Sequence, residues 1–410
     1  KNSKRPVFNA GNGIRIGNAH KEFLELADLL NIPVVVGWNS EDCMWVDHPL
    51  YAGRPGNFGD RPGNFTVQNS DLVLSVGSRL SLRQVGFNCK GWAREAFTIV
   101  NDIDGEELKK PTVHIDIPVH ADCKVFMRQL IDFLKKEKTP VFEGGKGLYD
   151  MSWTETVKYW KEKYPVCKDE FLQNDDSKKA NVYAFIKYIG DSAKENQITV
   201  VGNGSACVVG GHSYIIKKGQ RFISNSAVAS MGYDLPAAIG AYMANLDGKR
   251  YDKELILITG DGSIQMNLQE LQTIVHHRMN IKIFLINNEG YHSIRQTQSR
   301  YFEDETLVGI GPDSGDLSFP DMGKIANAYG ITYFCAKTNS ELKDAIAKTF
   351  KAVGPVICEA YVTKEQNFEP KSSGKQLADG RMVSPPLEDL TPFLSEEEME
   401  ENMIVPRIIE

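Results

Sequence analysis

Several things are missing from this chain, and each absence excludes something. Seven cysteines in 410 residues (43, 89, 123, 167, 207, 335 and 358) form no CxxC pair and cannot all pair with one another. That pattern fits reduced thiols and argues against a disulfide frame or a thiolate zinc site. No apolar run reaches the roughly 20 residues that a bilayer-spanning helix needs. No long Lys/Arg block occurs and the net charge is -7, so neither nucleic acid nor an anionic membrane is the expected partner. The opening residues KNSKRPVFNAG lack the apolar core of a signal peptide. No solenoid-type repeat is visible. The expectation is a cytoplasmic protein.

What is present is an ordinary globular composition, 41% apolar and 25% charged. The length is too great for one core, so two domains and a tail are expected. In the first section PVFNAG (6–11), IPVVVGW (32–38), DLVLSVG (71–77), FTIVND (97–102) and TVHID (112–116) read as strands. Helical runs lie between and after them, at 19–30, with Asn18 placed to cap it, and at 121–136. RPGNF occurs twice, at 54–58 and 61–65, and reads as a long loop with two similar turns. KEKTPVFEGGKG (136–147) is linker-like, and a helix is expected over 151–164. A second section offers strands at 198–202, 254–260, 281–287, 331–334 and 355–362, and helices at 232–244, 263–277 and 340–353. Strands separated by helices imply α/β domains with doubly wound parallel sheets. The expected division is 1–136, a linker and helix over 137–178, a second domain over 179–363, and a tail over 364–410. With its prolines and its acidic run SEEEMEEN (395–402), the tail is expected to wrap a surface without adding a core.

The most informative unit is GDGSIQMNLQELQTIVHHRMNIKIFLINN (260–288). Two buried-strand runs flank a helical run, and a right-handed β-α-β crossover would lay them parallel in one sheet. Gly260, Asp261 and Gly262 then stand just beyond the carboxyl end of one strand, and Asn288 just beyond that of the next. Ligands of open α/β sheets bind at those ends. A carboxylate and a carboxamide oxygen suit Mg²⁺, which favours hard oxygen ligands and phosphate. The glycines admit a diphosphate closely, and Ser263 opens a helix whose free N–H groups favour an anion.

A GDG-to-NN unit of this length resembles the thiamine diphosphate motif, and this version is similar to the acetolactate synthase branch of that superfamily. The resemblance implies that Asp261, Asn288 and the backbone carbonyl of Gly290 bind Mg²⁺. SMGYDLPAAIGA (230–241) looks like the family stretch whose Met holds the cofactor bent; Met231 takes that place, and the Ala229 carbonyl would accept from the aminopyrimidine amine. VGNGSA (201–206) resembles the second diphosphate loop and implicates Asn203, Gly204 and Ser205. Tyr291, His292, Gln296 and Gln298 are expected on the acceptor side, with His292 as a candidate proton shuttle because its ordinary pKa is near neutral, a plain surface or core histidine being an equal reading.

Residues 5–135 resemble the family's central domain through LADLLNIPVVV (26–36), HPL (48–50), VQNSDLVLSVGSRL (67–80) and TVHIDI (112–117). FAD sits there in acetolactate synthases. GNGIRIG (11–17) and GSR (77–79) could meet its phosphates, yet a tight turn and a strand end explain them equally well, so a flavin is not the leading expectation. The family's first domain, which binds the pyrimidine ring and brings a catalytic Glu, has no counterpart here. The expectation is a fragment, inactive alone, of a homodimer or homotetramer.

The implied activity is decarboxylation of a 2-oxo acid such as pyruvate, with transfer of the acyl unit to an acceptor carbonyl. A simple decarboxylase and a non-catalytic nucleotide-binding subunit are the alternatives. One departure stands out: NNEGYHSIRQTQ (287–298) has His292, Ser293 and Thr297 where acetolactate synthases carry Gly, Met and Trp. A roomier, more polar pocket is implied, suited to a larger hydroxylated acceptor such as a keto-sugar.

Overall fold

The computed structural model describes residues 2–408 apart from 140, 141, 143, 303–306 and 378, together with the backbone but not the side chain of Tyr301. Part of the linker-like stretch therefore lies outside the described residues. The chain forms two compact units, Lys1–Val166 with Glu369–Glu410, and Cys167–Phe368.

The first unit holds β1 (Pro6–Ala10), β2 (Val34–Val36), β3 (Tyr51–Gly53), β4 (Leu72–Val76), β5 (Phe97–Asp102) and β6 (Ile117–His120). They lie in the order β3-β2-β1-β4-β5-β6, every neighbouring pair parallel. The second holds β7 (Ile198–Val201), β8 (Arg221–Ile223), β9 (Leu255–Gly260), β10 (Ile281–Asn287), β11 (Thr332–Ala336) and β12 (Val356–Tyr361). Their order is β11-β12-β10-β9-β7-β8, again all parallel. Helices flank both sheets, so the expected fold class of two doubly wound α/β domains is what the chain adopts. The strand order reverses between β1 and β4 in the first sheet and between β7 and β9 in the second, and such points open a crevice at the carboxyl ends.

The central strands form where apolar residues run without interruption: β9 and β10 are buried along all but their last residues, as a sheet covered on both faces requires. Three local expectations differ from the structure. TVHID (112–116) is not a strand; the ladder begins at Ile117, because the Asp116 carboxylate accepts from Thr98 N (2.7 Å) and Thr98 Oγ1 donates to His114 O (2.7 Å), replacing ladder bonds with side-chain ones. The second RPGNF opens the helix Arg61–Gln68, since Asp60 caps it by accepting from Gly63 N and proline is tolerated in the first turn. Asn18 does not cap; it adopts φ +50°, and Ala19 precedes the helix His20–Leu30. The turns bearing GNG and GSR pack on each other, with Gly13 N donating to Gly77 O (2.8 Å).

The tail does more than wrap a surface. Leu387 and Met399 join the apolar cluster of the first unit beside Phe65, Trp153 and Trp160. Polar ties accompany them: Gln68 Nε2 donates to Glu388 Oε2 (2.6 Å), and Trp160 Nε1 to Asn402 Oδ1 (2.8 Å).

Candidate functional site

The site is built at the carboxyl ends of β7, β9 and β10, on the second unit's reversal of strand order. Asn203 and Gly204 follow β7; Gly204 has φ +59° and leads into the helix Ser205–Ser213. Asp261 directly follows β9 and begins the short helix Asp261–Ile264. Asn288, Glu289 and Gly290 follow β10. These three segments, with Met231, enclose a cavity of about 160 Å³. Asn203, Gly204, Ser205, Gly260, Asp261, Gly262, Ser263, Asn288, Gly290, Tyr291 and His292 all line it. The sequence-expected residues are thus brought together. Ala229 stands one step behind the lining, its carbonyl accepting from Asn203 Nδ2 (2.5 Å). Gln296 and Gln298 do not line the cavity; Ser293 and Ile294 do. Gln298 instead closes a loop through a reciprocal pair of bonds with Val308 (2.8 and 2.9 Å).

Asp261 is buried, and its two oxygens accept from Gly262 N (2.8 Å) and Gly290 N (3.0 Å). Burial pushes its carboxyl up to about 7, against those backbone donors and the nearby Arg295, which pull it down. Asn288 is equally enclosed; its Nδ2 donates to Ser205 Oγ (3.0 Å) while its Oδ1 has no hydrogen-bond partner. A buried acceptor left open costs roughly 1–3 kcal/mol. One carboxylate with a raised pKa and one orphaned carboxamide oxygen, on two residues that line the same small cavity, are what a divalent cation with hard oxygen ligands would satisfy. Among the described residues no group of three His, Cys, Asp or Glu side chains could hold a metal, so a thiolate or imidazole site is not what this donor set resembles.

Gly290 shows how tightly the turn is fixed. It has φ +136°, and a Cβ there would stand 1.8 Å from Ile310 O. Beside Gly262 a Cβ would meet the Tyr291 ring at 2.5 Å and the Met231 methyl at 3.4 Å, so Met231 and Tyr291 close in on the same backbone. Ser263 Oγ accepts from Gly232 N (2.9 Å), which joins the loop before Met231's neighbour helix to the start of the Asp261 helix.

Sequence reasoning missed Arg295. This buried guanidinium donates to Asn288 O (3.2 Å) and Glu289 O (2.8 Å), and meets Asp313 at 3.4 Å. It holds the turn after β10 from behind. Its spacing seven residues after Asn288, one side of a helix behind the turn, was the available signal. Asp234 was also missed: fully buried, it accepts from the Thr259 hydroxyl and from Leu235 N. His292 lines the cavity, and its ring is tied to its neighbours. Arg295 Nη1 lies 3.3 Å from its Nδ1, and Nε2 lies 3.1 Å from Gln366 O and 2.9 Å from the Gln296 carboxamide. Both ring nitrogens are engaged within the protein.

Residues 202–360 match the model of the thiamine pyrophosphate enzyme C-terminal TPP binding domain, and residues 1–130 that of the thiamine pyrophosphate enzyme central domain. Among curated proteins, the acetolactate synthase large subunit of Cyanidium caldarium is 31% identical over 369 residues, covering 90% of this chain and 59% of that protein. The probable acetolactate synthase large subunit of Methanococcus aeolicus is 28% identical over 386 residues, 92% of this chain and 61% of that protein. The acetolactate synthase large subunit of Lactococcus lactis subsp. lactis is 29% identical over 368 residues, with coverage of 90% and 59%. The chain spans about three-fifths of the length of these relatives. With the sheet reversal, the Asp261–Asn288 pair and these matches in agreement, the chain belongs to the thiamine pyrophosphate enzymes and is acetolactate synthase-like.

Proposed function

We propose that the full-length protein uses thiamine diphosphate and Mg²⁺ to decarboxylate a pyruvate-like 2-oxo acid and to join the remaining acyl unit to an acceptor carbonyl. The observation that carries this reading is the Asn288 Oδ1, buried and without a partner in the cavity that Asp261 also lines. When bound, thiamine diphosphate supplies a thiazolium ring that takes up the electron pair released with carbon dioxide. The chain's own residues hold it. Asp261, Asn288 Oδ1 and the Gly290 carbonyl take the Mg²⁺. Gly204 and Ser205 after β7, with Gly260, Gly262 and Ser263 after β9, would receive the diphosphate among backbone N–H groups. Met231 would pack against the cofactor from the cavity wall, and the Ala229 carbonyl, besides accepting from Asn203, would offer its second lone pair to the aminopyrimidine amine.

On the acceptor side Ser293 and Ile294 replace the expected glutamines at the cavity wall. The Thr297 hydroxyl donates back to Ser293 O (3.0 Å), so position 297 itself carries no ring. A larger, hydroxylated acceptor is therefore the proposed co-substrate. With both nitrogens engaged, His292 is assigned to holding Arg295 and the pocket wall; proton transfer through its ring would first need release from Gln366. The working form is a homo-oligomer, dimer or tetramer, in the full-length protein.

The test is product analysis with the full-length protein, thiamine diphosphate, Mg²⁺ and pyruvate, alone and with sugar aldehydes or ketones. Carbon dioxide release that vanishes with chelator, and a product incorporating the sugar, are expected. Acetolactate as the sole product would refute the acceptor assignment, and turnover insensitive to chelator would refute the site itself.

A further inference from the structure

Glu359 is buried to 1% exposure in the middle of β12, yet it lies outside the cavity and takes no part in the binding just proposed. A buried carboxylate is costly unless its oxygens are satisfied. Here they are, by two specific partners. Asn287, the last residue of β10, donates its Nδ2 to Glu359 Oε1 (2.7 Å), and the Tyr333 hydroxyl of β11 donates to Oε2. Strand register explains the meeting: Glu359 pairs with Leu285 on one side and Cys335 on the other, so Asn287, Glu359 and Tyr333 share one face of three adjacent strands.

Asn287 passes the constraint on. Its Oδ1 accepts from Glu289 N (3.0 Å), and its backbone carbonyl accepts from Val362 N (2.9 Å). Glu289 has φ +56°, a conformation that a side-chain-bearing residue adopts only when its surroundings impose it. The next residue is Gly290, whose N–H meets Asp261, and the preceding one is Asn288, whose Oδ1 is open. A chain of three hydrogen bonds thus runs from the sheet interior to the turn that presents the oxygens.

We propose that Glu359 is a positioning residue for the divalent cation, acting through Asn287 to set the turn Asn288–Gly290; the inference rests on the metal reading above. The partner that orients a metal's ligands typically matters 10–100-fold in affinity. The test is Mn²⁺ binding to the full-length protein with thiamine diphosphate, read by electron paramagnetic resonance, beside the thermal midpoint of the metal-free protein. Glu359→Ala is expected to weaken Mn²⁺ binding by about 10–100-fold, while Glu359→Gln, which keeps an acceptor for Asn287, stays within about threefold of the parent. Asn287→Ala should lose as much as Glu359→Ala, and the double variant no more than either, because both break one chain. If Glu359→Ala fails to fold, Asn287→Ala and Tyr333→Phe, which trims only the anchoring hydroxyl, carry the test by the same readout. Parental Mn²⁺ affinity in Glu359→Ala or Asn287→Ala, losses that multiply in the double variant, or a Gln variant as weak as the Ala one would overturn the proposal. Asp261→Asn separates the two readings: if it still binds Mn²⁺, the metal site itself is wrong, and if it does not while Glu359→Ala binds normally, only the positioning role falls.

Discussion

Asp261 carries the strongest electrostatic consequence of the site. Burial raises its carboxyl from 3.8 to about 7, so the cation-free folded protein keeps a proton that the unfolded chain has already released. Between about pH 4 and 7 the folded state therefore binds the extra proton, and this residue's share of stability is lost as pH rises through that window and is constant above it. A divalent cation binds only the carboxylate. Mn²⁺ affinity is thus expected to fall about tenfold per pH unit below 7 and to level off above it; a titration from pH 5.5 to 8.5 that stayed flat would contradict this. Asn288→Ala removes an unsatisfied acceptor together with one hydrogen bond to Ser205, so metal-free stability should change by less than about 1 kcal/mol, while Mn²⁺ binding falls sharply. Chemical denaturation and metal titration of the same variant check both halves. These two residues were legible in sequence because their residue types and the strand runs before them were sufficient. Arg295 and Glu359 were not, since a single charged residue within a helix or a strand reads the same whether it faces solvent or supports a turn.

At the scale of elements, the turn after β10 and the turn after β7 make a contrast. Gly290→Ala would set a Cβ 1.8 Å from Ile310 O at φ +136°, and should cost more than about 3 kcal/mol and abolish cofactor-dependent stabilisation. Gly204→Ala meets nothing within 4 Å, so only its φ of +59° opposes the methyl, at about 1–2 kcal/mol. Thermal midpoints with and without thiamine diphosphate and Mg²⁺ distinguish them, and equal losses would contradict the account. Long apolar runs made β9 and β10 readable. The three-residue β3 and β8 were not, because each is an edge strand too short to show a pattern. The helix expected over 263–277 is broken between Ile264 and Glu270. There Asn267 Nδ2 donates to Gly232 O (2.6 Å), a tertiary tie that helical periodicity does not reveal.

At the scale of the whole molecule, the chain completes the second unit and then returns to the first, and residues beyond 369 finish the first unit's core. Leu387→Ala, at a site 3% exposed, should destabilise the full-length protein by about 2–4 kcal/mol, with faster hydrogen exchange in β4 and β5; an unchanged denaturation midpoint would show that the tail only lies on the surface. Composition and alternation were enough to read two α/β units. The tail's role was hidden because its buried residues Leu387, Leu390, Met399 and Val405 are widely spaced and follow no period. The candidate site residues nonetheless converge on one small volume at the carboxyl ends of β7, β9 and β10. The most direct measurement is anomalous diffraction from crystals of the full-length protein grown with thiamine diphosphate and Mn²⁺. A single strong peak about 2.0–2.3 Å from an Asp261 carboxylate oxygen and from Asn288 Oδ1 is the predicted result. A peak that touches neither residue, or none in a crystal that visibly holds the diphosphate, would contradict it.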